Sequence, residues 1–323
     1  MKDFENCNLC EWRCGVDRLA GERGVCGLGE PIVAHSTLHP APPASYDAFM
    51  AGCNFRCLFC QNWSMAHYPQ NPESETEGTY EPREWAESSL AELASPAAEL
   101  MGADRLFFTG GEPTPSLPWI EEVVREARTV NPDTRVNYDT NGFLTRESLK
   151  RVLDFATSIT YDIKAFRGET FSWLTGAFVE PVLRNAETIG RHHKDKLWEF
   201  RIMMIEGVHD DELSDLCRFI SDIDPTLPVN FLAFRPNFVM EDLHGPSFGF
   251  MRSCVKTAES CGLVNVDWSG MPAIRGAGSE FKGSDLARHY ARLHGCRVEK
   301  RICKGCGDVD DCAIKKYVPG RRT

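Results

Sequence analysis

The sequence contains no long apolar run. A transmembrane helix needs about 18 consecutive apolar residues, and none of the 323 residues belongs to such a stretch. The segment Met1–Cys7 has neither the apolar core nor the small-residue cleavage site of a secretory signal. We therefore expect no membrane association and a cytoplasmic protein, whose thiols stay reduced.

An excess of positive charge is also missing. The chain has 36 Lys and Arg against 47 Asp and Glu, a net charge of −11. Proteins that coat nucleic acid need clustered Lys and Arg to contact phosphates, so this composition argues against a nucleic-acid partner. Only the segment that starts at Cys296 is basic, and two interpretations stay open for it. It is either a solubilising tail that balances metal-bound thiolates or a site for an anionic partner.

The nine histidines form no H-x-x-H or H-E-x-x-H pattern, which argues against a histidine zinc site. Cysteine, in contrast, is abundant, with 14 residues, of which all but three fall into tight groups. These groups are Cys7, Cys10, Cys14 and Cys26; Cys53, Cys57 and Cys60; and Cys296, Cys303, Cys306 and Cys312. In a reducing compartment such groups indicate metal sites rather than disulfides.

Between the outer cysteine groups, short apolar runs alternate with amphipathic segments, which is typical of βα units and a parallel sheet. The predicted strands are Asp47–Ala51, Arg105–Thr109, Arg135–Asp139, Ser158–Ile163, Glu199–Ile205 and Val229–Phe234. Apolar residues at helical spacing fill the segments between them. The sequence therefore predicts an α/β fold whose active-site residues lie at the carboxyl ends of the strands.

The central group, Cys53, Cys57 and Cys60, directly follows the first predicted strand. The spacing C-x3-C-x2-C supplies thiolates for three irons of a [4Fe–4S] cluster and leaves the fourth iron without a protein ligand. S-adenosylmethionine (SAM) can chelate such an iron through its amino and carboxylate groups. The alternative is a zinc site that lacks its fourth ligand.

This segment resembles the radical SAM superfamily, whose motif C-x3-C-x-aromatic-C has Phe59 at its aromatic position. The resemblance implies a partial (β/α)6 barrel and a [4Fe–4S] cluster that cleaves SAM to a 5′-deoxyadenosyl radical. That radical abstracts a hydrogen atom from a substrate. We identify no catalytic side chain beyond the cluster ligands.

Three further segments resemble family motifs. Gly110, Gly111 and Glu112 match the Gly-Gly-Glu-Pro motif, which implies that they bind the SAM amino group. Tyr138–Gly142 and Thr160–Lys164 look like segments of pyruvate formate-lyase activating enzymes, with Ile163 in place of Leu. That likeness implies a SAM site, with a monovalent cation against the SAM carboxylate. The implied cofactor residues in these two segments are Asp139, Asn141, Asp162 and Lys164.

Two arginines complete the implied cofactor site. Arg201 stands where activating enzymes have an Arg that reaches the SAM carboxylate. Arg235 stands where they have a His near the adenosyl group, so its role departs from the family pattern. Read without the resemblance, the polar residues at strand ends are helix caps and ion pairs, and this alternative stays open.

The outer cysteine groups predict two more metal centres. The N-terminal four thiolates suit zinc or a [4Fe–4S] cluster, and spacing does not choose between them. Their segment resembles an extension of uncharacterised relatives of the activating enzymes. The C-terminal four partly resemble the C-x2-C-x5-C core of SPASM and twitch domains, although Lys316 stands where the next Cys belongs. This likeness implies an auxiliary [4Fe–4S] cluster, with zinc as the alternative.

We predict a cysteine-rich extension at residues 1–44, a radical SAM core at residues 45–267 and a metal-binding C-terminal extension at residues 268–323. The expected substrate is a protein or peptide, as in activation of a glycyl radical enzyme. The alternative is oxidation or rearrangement of another peptide, a small molecule or RNA with help from the auxiliary cluster. The expected reductant is a ferredoxin or flavodoxin.

Overall fold

The structure is a computed structural model that describes residues 2–68 and 76–270. The described strands are β1 (Val33–His39), β2 (Ser45–Met50), β3 (Arg105–Gly110), β4 (Arg135–Thr140), β5 (Ser158–Ile163), β6 (Leu197–Met204), β7 (Val229–Ala233) and β8 (Val266–Ser269). The described α-helices are α1 (Trp63–Ala66), α2 (Pro82–Leu93), α3 (Pro96–Met101), α4 (Leu117–Val130), α5 (Arg146–Phe155), α6 (Gly168–Thr175), α7 (Glu180–His192), α8 (Leu213–Ile223) and α9 (Phe248–Ser260).

The strands belong to one eight-stranded sheet and follow each other in chain order from β1 to β8. The β1–β2 pair is antiparallel, whereas the pairs β2–β3, β3–β4, β4–β5, β6–β7 and β7–β8 are parallel. The order has two ends, as a partial barrel requires. The predicted α/β fold with a mostly parallel sheet is confirmed.

All six predicted strands are present, with ends that differ by at most two residues. The strands β1 and β8 were not predicted. In β1 buried and exposed residues do not alternate, and β8 has only four residues, none of them buried. Neither therefore shows the period-two pattern that identifies a strand in a sequence. The predicted domain boundary at residue 44 falls between β1 and its partner β2.

The described residues divide into two compact units. The first unit takes those within Met1–Asn54, Asn62–Tyr161 and Asp195–Trp198. The second takes those within Phe55–Gln61, Asp162–Lys194 and Glu199–Thr323. The central cysteine group is thus divided, with Cys53 in the first unit and both Cys57 and Cys60 in the second.

In the first unit, helices α4 and α5 bury the stripes that their sequences predict. Ile120 and Val123 of α4 are fully buried, and Val152 of α5 is nearly so. Helix α5 begins where the Thr145 hydroxyl accepts a hydrogen bond from Ser148 N (3.2 Å), which satisfies one free amide of the first turn. Phe155 of α5 packs against Tyr138 of β4, with ring centroids 6.0 Å apart, and the carboxyl ends of β3 and β4 carry the predicted motifs.

In the second unit, α8 and α9 pack through apolar faces that include two of the ungrouped cysteines. Cys217 and Cys254 are completely buried, so both are core residues, as their positions on apolar stripes predict. Cys261 ends α9 as its C-cap. No helix among the described residues has both the length and the apolar character to cross a membrane.

Candidate functional site

Cys53 begins the loop that follows β2, and close packing determines its backbone. Gly52 before it has φ +76°, and a Cβ atom there would lie 2.6 Å from Leu28 Cγ, so only glycine fits. Cys53 itself is 6% exposed. Its Sγ atom lies 3.9 Å from Asn141 Nδ2, which can donate a hydrogen bond to a thiolate at this position.

The second unit holds Cys57 and Cys60 in a loop that is bonded to the end of α6. The backbone N–H of Arg56 donates to Thr175 O (2.8 Å) and that of Leu58 donates to Leu174 O (2.9 Å). Burial raises the pKa of the Cys57 thiol to about 12, and the charge of Lys164 lowers it in part. A cation is therefore close to a thiol that must lose its proton to bind metal.

The carboxyl end of β5 carries a cluster of three charged side chains. Arg201 Nε donates to Asp162 Oδ1 (2.6 Å) and Lys164 Nζ donates to Asp162 Oδ2 (2.5 Å). Burial opposes ionisation of Asp162, but attraction by the Arg201 and Lys164 charges prevails and lowers its pKa to about 2. Protein cations thus already bind both oxygens of this carboxylate. The monovalent cation expected beside it stays a prediction.

Two residues that the sequence did not identify hold the loop after β5. Glu212 accepts hydrogen bonds from the backbone N–H groups of Phe166 (3.1 Å) and Arg167 (2.9 Å). His209 Nδ1 accepts from Ile205 N (2.9 Å), so its Nε2 carries the proton and donates to Lys164 O (3.1 Å). The spacing His-x2-Glu, one helical turn, was the available signal.

In the first unit, the end of β3 requires glycines because the end of β2 and the loop after it pass very close to its backbone. A Cβ atom on Gly110 would lie 2.2 Å from Met50 N, and one on Gly111 would lie 2.2 Å from Gly52 O. Gly110 also has φ +116°, which side chains rarely adopt. This packing keeps the motif's backbone against the start of the Cys53 loop.

Glu112 lies at the centre of a buried hydrogen-bond network. Its Oε1 accepts from the N–H (3.2 Å) and the hydroxyl of Thr114 and from the Thr140 hydroxyl (2.7 Å). Its Oε2 accepts from Asn141 N (2.8 Å). Glu112 therefore connects the loop after β3 to the loop after β4, from which Asn141 approaches Cys53. Its proposed contact with the SAM amino group stays a prediction.

We expect Glu112→Gln to lower the free energy of unfolding by about 1.5–3 kcal/mol, because the new amide N–H group faces donors instead of acceptors. Burial raises the Glu112 pKa from 4.5 to about 7, although hydrogen bonds from Asn141, Thr114 and Thr140 lower it in part. The stability that this raised pKa confers is complete below pH 4.5 and is lost as pH rises through 7. The variant should therefore lose more stability at pH 5 than at pH 8.

Urea denaturation at both pH values measures this difference. The matched control is Glu99→Gln, an exposed carboxylate of the same unit, which should change stability by less than about 0.5 kcal/mol. An equal effect of both substitutions would show that the network around Glu112 contributes nothing.

The remaining predicted residues are placed as follows. Asp139 is 9% exposed and accepts a hydrogen bond from the Thr109 hydroxyl (2.8 Å) in the first unit. Arg235 follows β7, is exposed, and makes no hydrogen bond or ion pair within the described residues. Cys296, Cys303, Cys306 and Cys312 lie outside the described residues.

Among residues 2–68 and 76–270, no group of three or more Cys, His, Asp and Glu side chains has the spacing to hold a metal ion. This applies to the N-terminal cysteines as well as to the central group.

The chain is similar in sequence to a protein family and to several known proteins. Residues 48–220 match the model of the Radical SAM superfamily. The uncharacterized protein MJ0808 of Methanocaldococcus jannaschii is 26% identical over 95% of this chain and 95% of its own length. A GTP 3′,8-cyclase of Limosilactobacillus fermentum is 25% identical over 57% of this chain and 52% of its own length.

Among solved structures, a domain of a pyruvate-formate lyase-activating enzyme from Bacteroides vulgatus is similar, with 18% identity and a TM-score of 0.42. The match covers 52% of this chain and 100% of that domain.

Proposed function

This chain belongs to the radical SAM superfamily, and from that premise we propose that Cys53, Cys57 and Cys60 bind a [4Fe–4S] cluster that cleaves SAM. The observation that carries the proposal is the C-x3-C-x2-C loop directly after β2, in which Cys53 and Cys57 are buried. Buried thiols with a nearby amide donor and a nearby cation suit a cluster, because both stabilise thiolate charge.

When bound, a cluster with one open iron supplies the electron that splits SAM into methionine and a 5′-deoxyadenosyl radical. The residues of this chain prepare the site. The Asn141 amide lies where it donates to the Cys53 thiolate, and Lys164 lies beside Cys57. Glu112 holds the Asn141 loop in place, because its Oε2 accepts from Asn141 N. We assign the SAM amino group to Glu112 and the backbone of Gly110 and Gly111.

The SAM carboxylate needs a cationic partner, and Arg201 suits this role. A guanidinium binds a carboxylate through two parallel N–H groups. Asp162 Oδ1 accepts a hydrogen bond from Arg201 Nε (2.6 Å) and thereby orients the guanidinium. Asp162 orients Lys164 in the same way through its other oxygen. Asp139 and Arg235 complete the proposed cofactor residues.

For the substrate, we propose hydrogen abstraction from a protein or peptide, supported by the likeness of Tyr138–Gly142 and Thr160–Lys164 to segments of activating enzymes. A second candidate is a small molecule, because the relatives include GTP 3′,8-cyclases. In that case an auxiliary cluster on the C-terminal cysteines takes part in the oxidation. The reductant in either case is a ferredoxin or flavodoxin.

We expect the anaerobically reconstituted protein, reduced with dithionite and given SAM, to release 5′-deoxyadenosine, which liquid chromatography with mass spectrometry detects. Omission of dithionite is the control, because cleavage requires an electron. A protein with a fully reduced cluster by electron paramagnetic resonance that forms no 5′-deoxyadenosine would overturn the proposal.

The substrate class is tested with deuterium. A glycine-containing peptide with deuterated Cα, or deuterated GTP, is added to the same reaction. A compound of the correct substrate class should transfer deuterium to 5′-deoxyadenosine. It should also raise the rate at which 5′-deoxyadenosine forms. Transfer from GTP and not from the peptide would refute the peptide proposal in favour of the small molecule.

A further inference from the structure

The N-terminal cysteine segment is folded onto the first unit. Phe4 and Leu9 are buried, and Cys10 pairs with Leu144 in a short antiparallel bridge. Within the segment, Cys7 N donates to Val16 O (3.0 Å) and Gly15 N donates to Cys7 O (3.0 Å). These bonds close a loop that returns the chain from Cys7 past Cys14 to Val16.

The segment that carries Cys26 packs against Cys14: a Cβ atom on Gly24, two residues before Cys26, would lie 3.0 Å from Cys14 Sγ. Burial is the main cause that raises the pKa of the Cys10 thiol, and Cys26 and Cys14 raise it further. The backbone N–H of Trp12 donates to Cys10 and lowers that pKa in part. A backbone donor to sulfur two residues after a Cys is an arrangement that supports a thiolate ligand.

Arg18 carries a buried charge that lacks an anion. Its guanidinium is 3% exposed, donates from Nε to Gly29 O (3.0 Å) and from Nη1 to Pro115 O (2.6 Å), and lies over the Phe4 ring. Within the described residues, no carboxylate forms an ion pair with it, and its Nη2 has no hydrogen-bond partner. Cys7 Sγ is 3.9 Å from Nη1.

A guanidinium keeps its charge in proteins, and a buried charge is costly unless an anion pairs with it. A protonated Cys7 thiol does not supply that anion. A thiolate does, and four thiolates on one zinc ion or one [4Fe–4S] cluster carry net negative charge. The position of Arg18 is therefore explained when Cys7 is a metal ligand.

Asn54 provides a second, independent observation at Cys10. The side chain is 1% exposed, and its Nδ2 is buried without a hydrogen-bond partner of ordinary geometry. The Asn54 amide lies near enough to the Cys10 thiol to influence it, although burial dominates there. A buried N–H group that faces a thiol gains a strong acceptor when that thiol becomes a metal-bound thiolate.

We propose that Cys7, Cys10, Cys14 and Cys26 bind a thiophilic metal centre, with Arg18 as its buried counter-cation and Asn54 as a donor to the Cys10 ligand. Zinc and iron–sulfur chemistry share this ligand set, and the experiment below distinguishes them. Two buried donors without a hydrogen-bond partner in the described part of the chain, Arg18 Nη2 and Asn54 Nδ2, belong to residues that contact these cysteines.

Asn54 also connects this centre to Cys53, a step that rests on the proposed function. Its Oδ1 accepts from Asn141 Nδ2 (2.7 Å), and its backbone O accepts from Trp12 Nε1 (2.7 Å). Asn54 and Asn141 both lie 3.9 Å from Cys53 Sγ. The N-terminal centre thus holds the residue next to the first cluster ligand, and we assign to Asn54 the role of a positioning residue.

The test measures metal content in full-length protein that carries Cys53→Ala, Cys57→Ala and Cys60→Ala, so its outcome does not depend on SAM cleavage. In this background the four N-terminal cysteines are changed to Ser, with Cys261→Ser as the matched control. We expect the quadruple change to remove about one zinc or about four irons per chain. The metal that disappears identifies the centre, and equal metal content in both proteins would overturn the proposal.

Single substitutions cover the case in which the quadruple variant does not fold. Arg18→Met and Asn54→Leu should each weaken metal retention against a chelator by about 10- to 100-fold, the usual effect of residues that support metal ligands. Arg18→Lys should restore part of the loss because it restores the charge. Retention equal to the parent in all three variants, with unchanged circular dichroism, would refute the roles of both residues.

Discussion

Replacement of Cys53, Cys57 and Cys60 together by Ala should abolish the release of 5′-deoxyadenosine from SAM. Three thiolates are the complete set of protein ligands proposed for the SAM-binding cluster, so the variant lacks the cluster whose open iron binds and reduces SAM. We expect 5′-deoxyadenosine release to fall to the detection limit. Without the electron donor, the activation barrier for cleavage of SAM is not lowered. Chromatographic detection of 5′-deoxyadenosine after one hour under dithionite measures it.

The control for this variant is Cys261→Ala. Its thiol is half-buried at the end of α9, where it contacts Ser214 O at 3.7 Å, and it belongs to none of the three groups. The control should retain activity and iron content. Continued 5′-deoxyadenosine production by the triple variant would show that the cluster lies elsewhere, and the C-terminal cysteines would be the next set to change.

Asp162→Asn should lower the free energy of unfolding by about 3 kcal/mol, because it removes a buried carboxylate that forms ion pairs with both Lys164 and Arg201. The value is at the low end for buried pairs since the Arg201 side chain is 26% exposed. Because the Asp162 pKa is lowered to about 2, its stabilisation is complete above pH 3.8 and is lost as pH falls through 2. The penalty should therefore be constant between pH 5 and 8.

A carboxylate in a similar arrangement at the surface serves as the control. Asp215 contacts Arg167 (3.1 Å) and Arg218 (3.3 Å), but these three side chains are 42% to 63% exposed. Asp215→Asn should change stability by less than about 1 kcal/mol. Asp162→Asn should also weaken SAM binding, because Arg201 loses its orientation. If both variants lost the same stability, the cluster around Asp162 would have no special role.

Features that depend on consecutive residues could be predicted from the sequence, whereas features that depend on distant residues could not. The six predicted strands and the stripes of α4 and α5 follow from local periodicity, which any buried sheet and helix must show. The antiparallel strand β1 lacks that periodicity. Its pairing with β2, which involves residues later in the chain, defines it as a strand. Likewise, the hydrogen bonds of Glu112 to Thr140 and Asn141 join segments almost thirty residues apart, and the motif in the sequence does not contain them.

The sequence by itself determined the α/β class and predicted a [4Fe–4S] site at the central cysteine group. Thiol spacing along a loop and apolar spacing along helices are properties of consecutive residues, which is why they can be read without a structure. The family match over residues 48–220 agrees with that reading.

Only the tertiary structure decided which side chains support these motifs. Arg18 and Asn54 carry no recognisable sequence pattern, and His209 and Glu212 show only the spacing His-x2-Glu. The importance of all four comes from burial and from partners distant in the chain. The sequence identified Glu112 and Asp162 as site residues. It did not show that Glu112 bonds to Thr140 and Asn141 or that Asp162 pairs with Arg201. A buried polar group is stabilised by whatever donor or charge the fold places beside it, and that neighbour is set by packing in three dimensions.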